Sequence, residues 1–589
     1  MKKLFVYLRQ YRIQSIIAPL FKFFEAMFDL LVPVVVAKII DVGVARGDHA
    51  YIVRQFLLLL LMAAIGLSCT IIAQYYAAKV SVSVAADLRQ SLFDHIQSLS
   101  FTELDTLGAD TMITRLNDDV NQIQNGLNLA LRLLLRSPFI VFGAMIMAFT
   151  INVRCALIFA IAIPVLFAVT FLIMLISIPL FKKVQNSLDH ITGLTRENLT
   201  GVRVIRAFCQ EEHSVEEFEK KNLALTHLNE FVGRISALLN PLTYVLINIA
   251  TVFLIERASI QVNLGNMKQG EVLALYNYML QIIVELVKLA SLIISINRAL
   301  ACTDRVSSIL DVESSMHYPD AASKDWEVTD DKDVVRFEDV SFLYKDSGAP
   351  ILSHISFQIK RGQTVGIIGG TGSGKSSLIN LIPRFYDVSE GAVYVDGHNV
   401  KEYTQDELNK KVGVVQQKSV LFQGSIRENL LWGNENADDA LLWEALTAAQ
   451  AKEIVEGKLE GLNYMLKQNG RNLSGGQKQR LSIARTLVKK PEILILDDSS
   501  SALDFATDAA LRKALHELGT LTTTFLVSQR IAGIRQADLI LVLDNGHLCG
   551  KGSHESLMDS CQIYREIYFS QFPEERCHYP NLTTERSVN

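Results

Sequence analysis

Long apolar stretches dominate the first half of the chain. About 20 consecutive apolar residues allow a helix to cross the hydrocarbon layer of a membrane. Stretches of this kind lie near residues 16–40, 54–78, 129–151, 155–181, 237–262 and 271–296. They predict six membrane-spanning helices. After about residue 300, short apolar runs alternate with Gly, Asp and Ser, which is typical of a soluble α/β domain.

The connections between the predicted spans are unequal in length. Short ones lie near residues 41–53, 152–154 and 263–270, whereas about 50 residues separate the second span from the third and the fourth from the fifth. Six spans put both ends of the membrane part on the same side. That side is predicted to be the cytoplasm, because basic residues precede the first span at Lys2, Lys3, Arg9 and Arg12.

The two long connections therefore face the cytoplasm. Both contain amphipathic helical patterns, such as VAADLRQSLFDHIQSL and HSVEEFEKKNLAL, which predict that membrane helices continue well into the cytosol. Their tips lie near residues 101–110 and 201–213. Each tip is predicted to be either a short helix that contacts a soluble partner or a solvated hairpin.

Charged residues interrupt the predicted spans at Glu25, Asp29, Glu256, Arg257, Glu285 and Lys288. Because a charge in hydrocarbon is costly, we expect these side chains to face the interior of the bundle or an aqueous cavity. Glu285 and Lys288 are three residues apart on one predicted helix and can pair. For Glu256, an internal ion pair is favoured over a cation-binding or proton-linked role.

The composition agrees with a membrane protein. Of the 589 residues, 49% are hydrophobic and 20% are charged, and the mean hydropathy is +0.23. The net charge of -5 leaves no overall basic surface, which argues against nucleic acid as a partner. Seven scattered cysteines show neither CxxC spacing nor a paired framework, and we interpret them as reduced thiols. The amino-terminal pattern predicts no cleaved signal peptide.

A phosphate-binding motif follows a predicted strand in the second half. The strand TVGII leads into GGTGSGKSS, and the helical pattern SLINLI follows. This matches the P-loop, in which glycines turn backbone N–H groups toward phosphate oxygens. Lys375 would neutralise phosphate charge and Ser376 would hold magnesium. The predicted ATP contacts are Gly369, Gly370, Thr371, Gly372, Ser373, Gly374, Lys375, Ser376 and Ser377.

A second apolar strand, in PEILILDD, ends at Asp497. A buried strand that ends in a carboxylate after a P-loop typically delivers that carboxylate to the magnesium ion. Asp497 is therefore a predicted magnesium ligand.

Between these motifs, NLSGGQKQR closely resembles the signature motif of ABC transporter ATPase domains. In that family two domains pair head to tail, so that each ATP lies between one P-loop and the partner's signature. The resemblance implies such contacts for Ser474, Gly475, Gly476 and Gln477. It implies that Tyr344 stacks on adenine and that Gln417 senses magnesium and the attacking water. The loop that crosses between the paired domains would be Ser501, Ala502, Leu503 and Asp504.

The first half also resembles the six-helix class of ABC exporters along its full length. The implied fold is a membrane all-α six-helix exporter domain fused to an α/β P-loop ABC ATPase domain. The two cytoplasmic tips are then expected to be coupling helices. We place the membrane domain at 1–310, a linker at 311–333, the ATPase domain at 334–571 and a poorly ordered polar tail at 572–589.

The sequence departs from the family pattern around the γ-phosphate. Asp498 stands where the family has a Glu that polarises the attacking water, so the carboxylate is withdrawn by one methylene, roughly 1.5 Å. Gln529 replaces a histidine that contacts the γ-phosphate, and it cannot carry charge. Gln416 replaces the proline that usually precedes Gln417. The first two changes predict a site that binds ATP but hydrolyses it poorly.

Together these features imply the degenerate-site subunit of a heterodimeric, multidrug-exporter-like pump in a bacterial plasma membrane, with its ATPase domain in the cytoplasm. ATP and Mg²⁺ are the expected cofactors. The expected partners are a second half-transporter that carries the Glu and His, membrane lipid, and an amphipathic small-molecule substrate. The alternatives are a homodimeric lipid or drug exporter with slow hydrolysis, and an ATP-gated regulatory subunit.

Overall fold

The computed structural model describes residues 2–319, 333–345, 347–499, 501–517 and 522–578. The chain forms two compact units. The first comprises Met1–Gln97 and Gly108–Val312, and the second comprises Ser98–Leu107 and Glu313–Asn589. Most of the predicted linker, residues 320–332, lies outside the described residues, and so does the end of the predicted tail, residues 579–589.

The first half of the chain consists of helices joined by short turns, with no strand among its described residues. Two π-helical segments interrupt it, at Ile39–Val44 and Arg115–Asp119. One of the helices, α4, belongs to the second unit. The helices are α1 Lys2–Gln10, α2 Arg12–Lys38, α3 His49–Ser98, α4 Phe101–Leu107, α5 Ala109–Thr114, α6 Val120–Leu133, α7 Arg136–Ile151, α8 Val153–Thr200, α9 Val202–Ala207, α10 Glu211–Ala237, α11 Leu239–Asn263 and α12 Gln269–Leu310.

Helices occupy all six predicted spans. Five helical stretches among the described residues are long and apolar enough to cross a membrane: His49–Ser98, Ala109–Ile151, Val153–Thr200, Glu211–Asn263 and Gln269–Leu310. The first predicted span lies in α2, which carries Lys22, Glu25 and Asp29. At 50 residues, α3 is about 75 Å long and far exceeds the hydrocarbon layer. The helix therefore continues well beyond the predicted span, and its extension into the cytosol stays a prediction.

Local chemistry explains the short connections and the close packing of these helices. Only Asn152 separates α7 from α8, and its side chain accepts hydrogen bonds from the backbone N–H groups of Arg154 and Cys155 at 3.0 and 3.3 Å. This caps the new helix directly. On α6, a Cβ added at Gly126 would lie 2.3 Å from the Cβ of Ala299, so the absence of a side chain lets α6 and α12 approach closely.

The described residues of the second unit form three sheets. The central one has six strands in the order β12-β11-β3-β10-β9-β6, in which only the edge strand β12 is antiparallel to its neighbour. An antiparallel sheet has the order β2-β1-β4-β5, and β7 pairs with β8. The strands are β1 Asp333–Phe342, β2 Leu352–Lys360, β3 Thr364–Gly369, β4 Glu390–Val395, β5 His398–Asn399, β6 Val412–Val415, β7 Gly424–Ser425, β8 Met465–Leu466, β9 Ile493–Asp497, β10 Thr523–Val527, β11 Leu539–Asp544 and β12 His547–Gly552.

Helices flank the central sheet. All five residues of β9 are buried, as expected for an apolar run in a parallel sheet covered on both faces. By contrast, β2 alternates buried and exposed positions, as a strand with one solvated face does. The helices of this part are α13 Lys375–Asn380, α14 Gln405–Lys411, α15 Ile426–Leu431, α16 Asp439–Ala448, α17 Lys452–Glu456, α18 Gly475–Val488, α19 Phe505–Glu517, α20 His554–Ser560 and α21 Gln562–Gln571.

The start of the predicted tail is folded. Pro573–His578 forms a short 3₁₀ helix, and Tyr568 donates a hydrogen bond to Glu575. The prediction of poor order is therefore wrong for residues 573–578. The aromatic ring of Tyr568 anchors them to the core beneath α21.

Candidate nucleotide-binding site

The candidate site lies at one edge of the six-stranded sheet. The strands β3, β10, β9 and β6 are adjacent and parallel, so the loops that follow them meet at the same edge. They enclose a cleft of about 350 Å³. The cleft is lined by Tyr344, Ile351, Thr371, Gly372, Gly374, Lys375, Ser376, Ser377, Gln417, Asp497, Asp498, Val527, Ser528 and Gln529.

The P-loop between β3 and α13 requires glycine at particular positions. Gly372 and Gly374 have φ values of +81° and +93°, which other residues rarely adopt. A Cβ at Gly374 would also lie 2.7 Å from Cδ2 of Leu352. At Gly369 a Cβ would lie 2.1 Å from the carbonyl oxygen of Leu543. The backbone therefore follows a tight path around the cleft that side chains would obstruct.

Lys375 is a buried cation at the base of this loop. Its Nζ donates to the carbonyl oxygens of Gly370 and Gly369 at 2.6 and 3.1 Å and to Oγ of Ser373 at 3.4 Å. Burial lowers the pKa of Lys375, although Asp498 and Asp497 oppose this effect. Because all three hydrogen-bonding partners are neutral, the ammonium group remains available to an anion such as phosphate.

Ser376 and Asp497 form the candidate magnesium site. Oγ of Ser376 donates to Oδ1 of Asp497 at 3.1 Å. Burial raises the pKa of Asp497. A hydroxyl and a carboxylate suit Mg²⁺, which usually completes its coordination with phosphate and water oxygens. The described residues contain no cluster of three or more His, Cys, Asp or Glu that could hold a metal by itself.

The side chain of Gln417 reaches Asp498. Its Nε2 donates to Oδ2 of Asp498 at 3.3 Å. Asp498 has a φ of +42°, and its backbone N–H donates to the carbonyl of Val527 at 3.0 Å. Burial raises the pKa of Asp498. The loops after β6, β9 and β10 are therefore connected through this residue.

The loop after β10 is held by the last residue of α21, which sequence analysis did not identify. Nε2 of Gln571 donates to the carbonyl of Gln529 at 2.7 Å, and its Oε1 accepts from the N–H of Ile531 at 2.9 Å. Gln571 thus binds the backbone on both sides of Arg530. The short distances and two-sided contact fix the loop that carries Gln529. An isolated glutamine near the end of a domain provides no sequence signal for this role.

The predicted adenine-binding residue, Tyr344, also lines the cleft. The hydroxyl of Tyr344 shares a hydrogen bond of 3.1 Å with Oγ of Ser377. Its ring meets Phe342 and Tyr386 edge to face, with centroid distances of 4.7 and 5.3 Å. The rings therefore hold Tyr344 in place beside the cleft.

The signature residues form a helix cap and do not line this cleft. Ser474 caps α18: its Oγ accepts from the N–H of Gln477 at 3.3 Å, and Oε1 of Gln477 accepts from the N–H of Ser474 at 3.0 Å. A Cβ at Gly475 would meet nothing within 4 Å, whereas one at Gly476 would lie 2.9 Å from the carbonyl of Ala502. The predicted crossing loop, residues 501–504, lies between β9 and α19. Oγ of Ser501 donates to the carbonyl of Asp498 at 2.8 Å, and Asp504 caps α19 by accepting from the backbone N–H of Thr507.

In the first unit, four of the predicted intramembrane charges form a cluster around Arg136, which sequence analysis missed. Arg136 donates to Oε1 of Glu285 at 2.7 Å and to Oδ2 of Asp29 at 2.9 Å, and its Nε lies 3.6 Å from Oε1 of Glu25. Lys288 shares Oε1 of Glu285 at 2.9 Å, which confirms the predicted pair. The cluster is completed by Lys22, which donates to Glu25, and by Ser137, which donates to Glu285. Arg136 lies within the predicted third span, so its charge was a usable signal.

The other two predicted intramembrane charges behave differently. Glu256 and Arg257 are exposed on this chain, and neither forms a salt bridge with another described residue. The prediction of an internal ion pair for Glu256 is therefore wrong within the described part of the chain. The helical period explains the outcome, because neighbouring Leu254 and Ala258 occupy the buried face of α11.

Both cytoplasmic tips contain the short helix that was one of the two predictions. In the second unit, α4 packs on residues that follow α13: the rings of Phe101 and Phe385 lie 4.7 Å apart, and Tyr386 donates to Asp105 at 2.6 Å. In the first unit, Val204 of α9 and Phe208, which directly follows α9, are exposed.

Comparisons with known proteins agree with this architecture. Residues 15–286 match the family model described as the ABC transporter transmembrane region, and residues 352–501 match the model described as ABC transporter. The fold is similar to that of a bacterial Atm1-family ABC exporter with ATP bound, with a TM-score of 0.77, 24% identity and coverage of 96% of this chain and 98% of the other.

Several relatives align over most of their length. An ABC transporter ATP-binding protein of Mycobacterium tuberculosis (strain CDC 1551 / Oshkosh), named as uncharacterized, is 34% identical over 96% of this chain and 97% of its own. YfiB of Bacillus subtilis (strain 168), similarly named, is 34% identical over 98% of this chain and 99% of its own. An ATP-dependent lipid A-core flippase of Syntrophus aciditrophicus (strain SB) is 31% identical over 84% of this chain and 81% of its own. Since such relatives align with nearly the whole chain and both of its halves match the corresponding models, the chain is a member of the ABC transporter family.

Proposed function

We propose that this chain is one subunit of a dimeric ATP-driven exporter, and that its own nucleotide site binds MgATP but hydrolyses it slowly. The family assignment makes it a multi-pass membrane protein with a cytoplasmic ATPase domain. The fold that it shares with an ABC exporter supports outward transport. Transport would proceed by alternating access, in which pairing of two ATPase domains drives reorientation of the membrane helices.

The binding half of the site fits MgATP. The P-loop offers a backbone cradle, Lys375 offers a buried positive charge, and Ser376 with Asp497 offers the oxygen ligands for magnesium. Tyr344 lies at the rim of the cleft, where an aromatic ring can stack on a base. When bound, MgATP supplies the γ-phosphoryl group that water attacks.

The observation that carries the slow-hydrolysis proposal is the chemistry of Asp498 and Gln529, which line the same cleft. An Asp carboxylate reaches roughly 1.5 Å less far than a Glu carboxylate, and a misplacement of about 1 Å can cost a hundredfold in rate. Asp498 also accepts a hydrogen bond from Gln417 at 3.3 Å, which competes with a water for the same oxygen. Gln529 can donate a hydrogen bond but cannot supply positive charge.

The intact signature supports a heterodimer. In the family's head-to-tail arrangement, Ser474 to Gln477 serve the site built on the partner's P-loop. A homodimer would therefore contain two weak sites. We infer that the partner supplies a Glu and a His and that this chain's signature completes the partner's hydrolytic site.

The proposed cargo is an amphipathic small molecule or drug taken from the cytoplasm or the inner leaflet. The apolar groove between α8 and α11, which includes Arg257 among its lining residues, suits a molecule with an apolar body and a charged group. Lipid export by a homodimer is the second candidate, and the relatives named as lipid A-core flippases favour it.

The test compares ATP binding with ATP turnover. We expect the purified chain in lipid nanodiscs to bind a fluorescent ATP analogue, to lose that binding in Lys375→Ala, and to hydrolyse ATP slowly. Asp498→Glu alone should restore little activity, whereas Asp498→Glu with Gln529→His should restore much more. Rapid turnover by the unmodified chain that Lys375→Ala abolishes would refute the slow-hydrolysis proposal and favour the homodimer. With a co-encoded half-transporter, turnover without substrate movement would indicate a regulatory subunit.

A further inference from the structure

Tyr386 connects the nucleotide cleft to the short helix α4 within the second unit. On one side its hydroxyl donates to Oδ2 of Asp105 at 2.6 Å. On the other side its ring meets the ring of Tyr344 at 5.3 Å, with an interplanar angle of 86°. One side chain therefore contacts both the predicted adenine-stacking residue and a carboxylate of α4.

Further contacts make this connection specific. Phe342 packs against both tyrosines, with centroid distances of 4.7 Å to Tyr344 and 5.6 Å to Tyr386. Phe101 of α4 lies 4.7 Å from Phe385 and 6.1 Å from Tyr386. The aromatic rings thus form a continuous path from the rim of the cleft to α4. Edge-to-face pairs prefer particular orientations, so a rotation of Tyr344 alters the preferred orientation of Tyr386.

We propose that Tyr386 is a positioning residue through which binding of the adenine base, rather than of the phosphates, strengthens the docking of α4. The proposal rests on the proposed nucleotide site and assigns different effects to the two parts of ATP that bind there, the base and the phosphates. The phosphates would be bound by the loop around Lys375, which does not contact Tyr386 by any hydrogen bond or ring contact among the described residues. Its link to the aromatic path is the hydrogen bond of 3.1 Å between Ser377 and the hydroxyl of Tyr344, which holds the edge of that ring. The base would stack on Tyr344 and hold that ring in the orientation against which Tyr386 packs.

Thermodynamic reciprocity gives the proposal a quantitative signature. If the base strengthens docking of α4, docking of α4 must strengthen binding of the base by the same factor. Loss of the Tyr386–Asp105 hydrogen bond should therefore weaken ATP binding about fivefold, the lower end of typical coupling between sites. It should leave the affinity for inorganic tripolyphosphate unchanged, because that ligand has no base. Damage to the P-loop itself would weaken both ligands alike.

The experiment measures ATP and tripolyphosphate, each with Mg²⁺, by displacement of a fluorescent ATP analogue from the full chain in nanodiscs. Tyr386→Phe keeps the ring and removes the hydroxyl, and Asp105→Ala removes the acceptor from outside the cleft. Asp105→Asn retains an acceptor oxygen and should restore most of the ATP affinity. The matched control is Tyr318→Phe, because the Tyr318 hydroxyl donates to the carbonyl of Arg384 at 3.1 Å rather than to α4.

Hydrogen exchange of residues 101–107 provides a second measurement. ATP should slow exchange in the unmodified chain, tripolyphosphate at saturation should not, and both variants that break the hydrogen bond should lose the effect of ATP. Equal weakening of the two ligands, weakening of neither, or equal protection of α4 by both would overturn the role of Tyr386. If the unmodified chain failed to bind ATP at all, the proposed function would fail first, and this inference with it.

Discussion

Arg136 provides the most direct test of the charged cluster in the first unit. It lies at the start of α7 and joins Glu285 of α12 to Glu25 and Asp29 of α2. With Lys22 and Lys288, the cluster contains three cations and three carboxylates, so its charge is balanced. Arg136→Met retains an apolar stem of similar length and removes one cation. Two cations and three carboxylates then remain.

The structure allows the magnitude to be estimated. The Glu285 side chain is 4% exposed and that of Arg136 is 14% exposed, so this ion pair is buried. Removal of one partner from a buried pair costs about 3 to 5 kcal/mol. Lys288 contacts the same oxygen of Glu285 but is 42% exposed, so Lys288→Met should cost less than about 1 kcal/mol. Arg136→Met with Glu285→Gln restores charge balance and should recover about 1 to 3 kcal/mol.

Buried cysteines make the unfolding of the first unit measurable. A variant with Cys209→Ser, Cys549→Ser, Cys561→Ser and Cys577→Ser keeps three cysteines, Cys69, Cys155 and Cys302, all buried in the first unit. In this background, a thiol-reactive dye that fluoresces on coupling would report unfolding of the first unit. The second unit would be followed separately through the fluorescence of Trp432 and Trp443. At roughly 2 °C per kcal/mol, Arg136→Met should lower the first midpoint by about 6 to 10 °C. The reasoning would be refuted by equal shifts for Arg136→Met and Lys288→Met, or by strict additivity in the double variant.

Three further predictions concern the ATPase domain. Burial raises the pKa of Asp497, so folding stability falls as the pH rises from the ordinary carboxyl range to this raised value. At neutral pH, Asp497→Asn should therefore raise the thermal midpoint of the nucleotide-free chain. The same substitution should weaken magnesium-dependent ATP binding. Gln571→Ala should lower the free energy of unfolding by about 1 to 2 kcal/mol and speed hydrogen exchange near Gln529. The control is Gln562→Ala, on the exposed part of the same helix, which should do neither. Because a Cβ fits at Gly475, Gly475→Asp should preserve folding and keep the chain's own ATP affinity within twofold. The same substitution should abolish ATP turnover with a partner, and loss of folding would contradict the structure.

Most of the fold could be predicted from local pattern. Long apolar runs indicated the membrane helices, and the run that became β9 indicated a strand buried on both faces. The short cytoplasmic helices were anticipated only as one of two alternatives, because amphipathic patterns also occur in solvated hairpins. The separate grouping of Ser98–Leu107 with the second unit was not predicted, since it depends on side-chain contacts with residues far along the chain.

The candidate site was predictable where a motif specifies backbone conformation, as at Gly374, and less so where distant side chains meet. Arg136 binds partners 107 and 149 residues away, and periodicity does not identify which helices will bring such charges together. The Gln571 contact with the loop after β10 likewise joins two segments without a shared motif. Glu256 illustrates the opposite error, because its place in an apolar span suggested an internal partner, whereas its side chain lies on a face of α11 that is exposed on this chain.

The two departures predicted to weaken hydrolysis, Asp498 and Gln529, arise next to each other in the sheet, although they are distant in the sequence. Val527 of β10 pairs with Asp497 of β9, and its carbonyl accepts from the backbone N–H of Asp498. Gln529 follows two residues after Val527, so both altered side chains arise from adjacent strand ends. The groups suited to phosphate and magnesium, Lys375 and Ser376, come from the P-loop and keep the family's residue types. These two changes lie at the end of the site that we propose readies water for attack, and the proposed binding groups are retained. This distribution favours altered chemistry over general decay of the site. For this reason we expect ATP affinity and ATP turnover to respond separately when Asp498 and Gln529 are restored.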